Sequence, residues 1–234
     1  MAFITVKKRT IVVVLSLVLA LVAVFATAAT VIAASKPDNG ITIVIDAGHG
    51  GADGGVVGAT TGTKESDVNL SISKYLMKYL QNDGYNVVLT RSNSSAVAGG
   101  TRYSKQEDMK ARRDIVNSAA PDLVISIHCN AYPVSSVKGA QAFFASAAAA
   151  GERYAKAVQS YFNDVLNAKP RQAAVGDYYI LNCSEYPSVL CECGFLSNAE
   201  EENKLITASY QQKVAYTIYS AISAVFGEDT QRAT

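Results

Sequence analysis

The chain holds two histidines, and each closes a short apolar run. His49 ends the segment Ile41-Thr-Ile-Val-Ile-Asp-Ala-Gly-His49-Gly-Gly, and His128 ends Leu123-Val-Ile-Ser-Ile-His128-Cys-Asn. Such runs read as buried strands, and in α/β folds ligands and metals collect at strand ends. Neutral imidazole is the commonest metal ligand among side chains. The pattern suits a zinc centre built from two histidines and a carboxylate. A pair of hydrogen-bonded histidines at a sheet edge is the plainer alternative.

A catalytic zinc takes three protein ligands and keeps a fourth position for water. Glu65 fits the third place, because it stands where a helix should begin just after the His49 loop. Asp46, Asp53 and Asp67 compete for it, and Asp46 could instead support a ligand from behind or close a turn. Taken alone, Glu65 also reads as an acidic residue favoured by a helix N-terminus. Hydrolysis further needs a group that takes a proton from water and returns it to the leaving amine. Glu192 is the outstanding candidate, a carboxylate inside the apolar run Val189-Leu-Cys-Glu192-Cys-Gly. Its burial there is costly unless it lies at a strand mouth, is paired, or faces a metal. A structural ion pair with an arginine is the other role open to it.

The elements that must position these residues alternate. Strands are predicted at Ile41–Ile45, Tyr85–Thr90, Leu123–Ile127, Gly139–Ala145, Tyr178–Leu181 and Ser188–Cys193. A helix opens at Lys64-Glu65-Ser66-Asp67, carries Val68, Ile72, Leu76 and Leu80 at helical spacing, and stops at Asn82-Asp-Gly84. Further helices are predicted over Gln106–Ala119, over Glu152–Leu166, and as one or two segments between Glu200 and Phe226. This order implies an α/β fold, a mostly parallel sheet of about six strands covered by helices on both faces. The glycine-rich stretch His49–Thr63 lets backbone approach a bound group closely. Its spacing matches neither dinucleotide nor P-loop patterns, which argues against a nucleotide site.

Lys7-Lys8-Arg9 precedes the charge-free run Ile11–Ala34, long enough to span a bilayer. Basic residues ahead of such a run place the remainder outside the cytoplasm. An exported, membrane-anchored protein facing the cell envelope is therefore expected; cleavage near Ala26-Thr-Ala28 would make it a secreted one. Residues 1–34 read as that anchor or signal peptide, 35–40 as a linker, 41–227 as one catalytic domain and 228–234 as a frayed tail. A net charge of +1 gives no electrostatic case for nucleic acid. Cys129, Cys183, Cys191 and Cys193 do not form a disulfide pattern, since Cys191 and Cys193 share one face of a strand. Buried thiols are expected, with Cys129 pointing to the face opposite His128.

Taken together, several segments resemble the zinc-dependent N-acetylmuramoyl-L-alanine amidases of the amidase-3 type. Ile43-Val-Ile-Asp-Ala-Gly-His49-Gly-Gly-Ala-Asp-Gly-Gly is similar to the opening motif of that family, and Lys64-Glu65-Ser-Asp-Val-Asn-Leu to its K-E-x-x-x-N-L segment. Thr90-Arg91, then Arg112/Arg113 with Asn117, and Asp122-Leu-Val-Ile-Ser-Ile-His128-Cys-Asn-Ala131 follow in the family's order. So do Gly139-Ala-Gln-Ala-Phe-Phe and Pro187-Ser-Val-Leu-Cys-Glu192-Cys-Gly-Phe-Leu-Ser-Asn198. The resemblance runs from about Ile41 to Phe226.

It implies zinc ligands His49, Glu65 and His128, with Glu192 as catalytic acid/base. It also implies hydrolysis of the amide between the lactyl group of N-acetylmuramic acid and L-alanine of the stem peptide. Arg91, Arg112 and Asn130 are candidate substrate contacts. Cys129 departs from the alanine common at that position, and Phe144–Glu152 is too short for the inhibitory helix that some members carry. A lone domain behind an anchor resembles the membrane-anchored spore-cortex subgroup, which helps make muramic-δ-lactam. Candidate partners are peptidoglycan, the membrane through the N-terminal segment, and an activator protein. Two other functions compete. A zinc carboxypeptidase would grip a terminal carboxylate with Arg91, Arg112, Arg113 or Arg171. An inert wall-binding or regulatory module would be signalled by a lost ligand, and none is lost.

Overall fold

Strands that read as continuous apolar runs must be covered on both faces, and the arrangement of the chain follows from that. The computed structural model describes residues 38–99, 102–145 and 149–233. In chain order the elements are β1 (Thr42–Ala47), α1 (Glu65–Asn82), β2 (Asn86–Leu89), α2 (Lys105–Ala119), β3 (Leu123–Asn130) and β4 (Gln141–Phe144). They continue with α3 (Ala149–Val165), β5 (Ala174–Val175), α4 (Tyr179–Asn182), β6 (Ser188–Phe195), α5 (Ala199–Leu205) and α6 (Ala208–Ala233). The strands form one sheet in the order β2-β1-β3-β6-β4-β5. β2, β1, β3 and β6 run parallel, β4 is antiparallel to β6, and β5 is parallel to β4. The expected mostly parallel six-stranded sheet is the one observed.

Side chains alternate across the strands and so feed two unequal layers. Ile43, Ile45, Ile125 and Ile127 pack against Ile72, Leu76 and Leu80 of α1, Phe162 of α3, and Ile218 and Ile222 of α6. On the other face Val44 and Val124 meet Val116 of α2, while Leu190 meets Ile180 and Leu181 of α4. Ser104 caps α2 by accepting a hydrogen bond from the Glu107 amide. Beyond α1, Gly84 adopts φ +89°, the left-handed turn expected of a helix-ending glycine.

The four parallel strands β2, β1, β3 and β6 are adjacent, and their carboxyl ends lie on one edge. His49 follows β1, while His128 lies in β3 opposite Glu192 of β6. A register shift between His128 and Asn130 bends β3 where it leaves the sheet.

The structure differs from the expectation at several places, including the ends of β1 and β3, which continue to Ala47 and Asn130. Of Tyr178–Leu181, read as a short strand, the last three residues lie in the single helical turn α4 and Tyr178 is its extended N-cap. A four-residue apolar run carries no period that separates the two. Ile180 and Leu181 are adjacent yet both buried, and Asn182 Nδ2 donates to the Tyr178 carbonyl at 3.0 Å, closing the turn. β5 lies in what reads as a loop, and β6 continues to Phe195. α6 is helical through Ala233, beyond the start of the expected tail.

The membrane-anchored localisation is corrected. Among the described residues no helix is long and apolar enough to cross a membrane. The run Ile11–Ala34, on which that expectation rested, lies outside the described residues. All four cysteines are free thiols, and Cys129, Cys191 and Cys193 are buried in the larger core, Cys129 on the face away from His128 as expected.

Phe162 is fully buried where α3 meets the sheet. Phe162→Ala should lower unfolding free energy by about 3–5 kcal/mol, the usual cost of a large core cavity. Chemical denaturation of the two proteins side by side measures this; a loss below about 1 kcal/mol would mean that this layer is not a packed core.

Candidate metal and catalytic site

After β1 the chain turns sharply, and His49 takes φ +61°, a left-handed conformation uncommon outside glycine. Gly50 and Asp53 exchange backbone hydrogen bonds at 2.8 and 3.1 Å, folding the loop back on itself. This brings Asp53 Oδ2 to 2.9 Å from His49 Nδ1. Asp53 is fixed in turn by the Tyr103 hydroxyl at 3.0 Å and the Gly55 amide at 3.1 Å. The other ring nitrogen, His49 Nε2, lies 3.2 Å from Glu65 Oε2.

Glu65 opens α1 and is 2% exposed. Its Oε1 lies 2.9 Å from His128 Nδ1. The carboxylate also accepts from the Val56 amide at 2.9 Å, the Cys129 amide at 3.1 Å and Asn69 Nδ2 at 3.1 Å. Burial opposes its charge, yet the hydrogen bonds from His128 and His49 outweigh that and hold it well below the usual carboxylate range. Burial likewise opposes protonation of His49, but Glu65 and Asp53 together raise it to about 9. Two glycines leave the room this needs. A Cβ at Gly48 would collide with the His128 ring, and one at Gly55 would strike the Glu65 carboxylate and sit 2.7 Å from His49 Cδ2.

One ligand atom from each of His49, Glu65 and His128 falls within 4.8 Å of the others. The N···O separations of 3.2 and 2.9 Å approach the ~3.3 Å edge of a tetrahedron with bonds of about 2.0–2.1 Å. Donor set, burial and spacing therefore fit a zinc ion. The competing aspartates are occupied or turned away. Asp46 accepts from Thr90, Ser126 and Arg112, Asp53 stands behind His49, and Asp67 is exposed.

Glu192 faces the same strand edge and is 7% exposed. Among the described residues it makes no ion pair, and its Oε2 has no hydrogen-bond partner. Burial pushes its carboxyl up to about 7, with His128 and His49 opposing and Glu65 adding to the rise. The arginine pair envisaged as its alternative role is absent among these residues.

Of the three candidate substrate contacts, Arg91 and Arg112 are buried and engaged with the fold. Arg91, 5% exposed, donates to the carbonyls of Ala47, Gly48, Ser66 and Asn93 at 2.8–3.0 Å. Arg112, wholly buried, binds Asp46 at 2.6 Å, Asp108 at 2.9 Å, the Ala47 carbonyl at 2.9 Å and the His49 carbonyl at 2.7 Å. Both guanidinium groups hydrogen-bond carbonyls at the end of β1 and in the turn that carries His49. Asn130 stands at the end of β3, half-buried, its Oδ1 accepting from the Ala131 amide at 2.7 Å.

Positioning residues that sequence reading missed include Asn69, Tyr103, Glu201 and Glu202. Glu202 is fully buried and accepts from the Thr60 and Thr61 amides and the Thr61 hydroxyl at 2.7–2.8 Å, tying the glycine loop to α5. Glu201 accepts from Phe195 N–H at 2.8 Å and Gly139 N–H at 2.9 Å, fixing the exit of β6. The capping asparagine Asn198 and three successive glutamates were the available signal, and a helix start is a sufficient local explanation for them.

Fold and site together define an α/β domain with a candidate metal centre at the carboxyl edge of its central strands. Residues 43–224 match the Amidase_3 family, described as N-acetylmuramoyl-L-alanine amidase. The chain belongs to this family. It is 38% identical over 199 residues to the germination-specific N-acetylmuramoyl-L-alanine amidase of Bacillus subtilis strain 168, covering 83% of each chain. It is 37% identical over 186 residues to N-acetylmuramoyl-L-alanine amidase LytC of the same strain, covering 79% of this chain and 35% of that one. Its fold superposes with a TM-score of 0.76 and 33% identity on the CwlD amidase of Clostridioides difficile, solved in complex with the GerS lipoprotein. That likeness covers 80% of this chain and 98% of the CwlD chain.

Arg112→Gln should cost about 3–5 kcal/mol of stability, because Asp46 and Asp108 would remain buried without their cation. A variant that melts like wild type but shows a raised KM would restore Arg112 as a substrate contact.

Burial alone would favour neutral Asp46, but the Arg112 charge and the Ser126 hydroxyl prevail and hold its carboxyl below the ordinary value. A carboxyl lowered on folding stabilises above its unfolded pKa, and that contribution disappears as pH falls through the folded value. Metal-free protein should therefore lose stability as pH drops below 3.8, the ordinary value. Asp46→Asn should be weaker at neutral pH and show a shallower acid slope. Thermal melts across that range decide it, and parallel slopes would remove Asp46 from the acid transition.

Proposed function

We propose that this chain is a zinc-dependent N-acetylmuramoyl-L-alanine amidase. It would hydrolyse the amide between N-acetylmuramic acid and L-alanine of the peptidoglycan stem peptide, in the spore-cortex pathway that yields muramic-δ-lactam. The observation that carries the reading is Glu192, a buried carboxylate with one oxygen unpartnered, in register with His128 of the His–Glu–His cluster. Family membership and the germination-specific name of the Bacillus subtilis relative support the substrate and the cortex role. A protein partner belongs to the same reading, supported by the complex in which the CwlD amidase was solved.

His49, Glu65 and His128 would hold the zinc, and Asp53 would keep the His49 ring oriented through Nδ1. When bound, zinc supplies a Lewis acid that polarises the scissile carbonyl and eases ionisation of water. Glu192, as carboxylate, takes the proton of the attacking water as oxygen adds to the carbonyl carbon. It then delivers that proton to the alanine nitrogen as the C–N bond breaks. The products are a lactyl carboxylate on muramic acid and a free amine on the peptide. A buried site raises the proton affinity of Glu192, which suits a group that must both accept and return a proton.

The carboxypeptidase reading needs a free arginine at the site. Arg91 and Arg112 are committed to the fold, Arg113 pairs with Asp114, and Arg171 binds the Gly139 carbonyl and Gln141. That disposition favours the amidase.

Glu192→Gln should keep zinc and its melting temperature while activity on muropeptides falls by ~10²–10⁴-fold. His128→Ala should fold yet lose most of its zinc in elemental analysis. Mass spectrometry of the products should show muramic acid freed of its peptide. An active but destabilised Glu192→Gln protein, or full zinc in His128→Ala, would overturn the assignment.

A further inference from the structure

A cleft of about 590 Å³ lies between α2 and α4, lined by Lys105, Met109, Lys110, Arg113 and Tyr179 among others. Lys105, Met109, Lys110 and Arg113 form the stripe of α2 that its buried face leaves over, since Asp108, Arg112 and Val116 are the buried residues of that helix, and Tyr179 comes from α4. The cleft carries three cations and no lining acid. Arg113 is shared with Asp114 on its own helix, whereas Lys105 and Lys110 make no ion pair among the described residues. Both lysines are exposed, and Met109 and Arg113 are half-buried.

The cleft begins at the edge that holds the site. A helix that follows a parallel strand starts at the strand's carboxyl end, which places Lys105 there and Arg113 about two turns farther along the face. Tyr103, two residues before α2, bonds Asp53, the partner of His49. On the opposite wall Tyr178, beside Tyr179, packs on Phe143. Burial and the nearby Glu192 carboxylate raise its hydroxyl. Both walls thus run from groups that flank the metal and acid/base residues.

We propose that this cleft seats the carboxylate-bearing part of the stem peptide beyond the scissile amide, with Lys105 and Lys110 pairing its free carboxylates over the apolar floor of Met109 and Tyr179. The proposal rests on the amidase reading above. Charge complementarity selects the occupant, because the peptide is the anionic portion of a muropeptide while the glycan N-acetyl sugars are neutral apart from their lactyl groups, which the amide consumes.

The test uses the zinc-loaded full chain and the double variant Lys105→Gln/Lys110→Gln. Its substrates are two matched muropeptides, one with free stem carboxylates and one with them amidated. Exposed ion pairs each contribute up to ~1 kcal/mol, so wild type should show a KM roughly tenfold lower for the free-carboxylate substrate. The double variant should erase that preference through KM rather than kcat, and added salt should narrow it in wild type. A wild type without preference, or a variant that keeps it, overturns the proposal. An equal loss on both substrates does so too, because it assigns the cleft to another part of the ligand. If wild type cleaves neither substrate, the amidase reading fails on its own. Calorimetric titration of both muropeptides into the two proteins then decides the cleft, since the same preference must appear in Kd.

Discussion

One carboxylate organises the site. Glu65 is buried at the first turn of α1, between two imidazoles, and accepts from two backbone amides and an asparagine as well. An isolated buried charge of this kind would be neutralised rather than tolerated. Here the donors come from the glycine loop, from β3 and from its own helix, so the charge survives only if all three are in place. The dependence also runs the other way. The Val56 amide pins the loop and the Cys129 amide pins the end of β3, which means that the group that would bind metal also fixes the segments carrying the other two ligands. Metal affinity and local folding are coupled in such an arrangement.

A second ionic centre lies one layer deeper. Arg112 crosses from α2 to the end of β1, joining Asp46 and Asp108 and reaching the His49 carbonyl. Arg91 joins the same loop to its neighbours through four main-chain carbonyls, those of Ala47 and Gly48, of Ser66 in α1 and of Asn93 beyond β2. Such buried ion networks are weak sources of net stability against an apolar substitute, but removing one member is costly. Their use here is geometric. His49 sits in a strained left-handed conformation, worth of order 1–3 kcal/mol unless its surroundings over-determine it. The two arginines, with Gly50 and Gly51 pressed against Ser95 and Ala96, provide that determination.

Legibility in the sequence followed from how each residue meets its neighbours. The parallel strands were readable because burial on both faces demands unbroken apolar runs. His49 and His128 were readable because they break those runs at their ends, and Glu192 because it breaks one from within. Glu65 needed the family resemblance, since a helix-opening acid has a sufficient local explanation. The burial of Arg91 and Arg112 was not legible, because composition near a motif does not say which way a guanidinium points. Only the positions of the Ala47, Gly48 and His49 carbonyls reveal that. Glu202 was invisible for the same reason, as its partners Thr60 and Thr61 lie far away in sequence. The turn at Tyr179–Asn182 was lost to a run too short to have a period.

Glu192 makes a final point about where a fold spends stability. An acid buried in a strand without a partner for one oxygen is a net cost, roughly 1–3 kcal/mol or more by the usual scale for unsatisfied buried groups. The strand around it offsets this locally. Val189, Leu190, Cys191 and Cys193 are all essentially sealed from solvent, and β6 sits at the sheet centre between β3 and β4. The small, apolar thiols of Cys191 and Cys193 fill the opposite face without adding charge, because burial keeps both protonated. Placing the acid on a wholly buried central strand fixes its carboxylate relative to His128 within one register step. A loop residue could be solvated and would cost less, but it would not hold that position. The unfavourable burial and the positional accuracy are therefore the same structural choice.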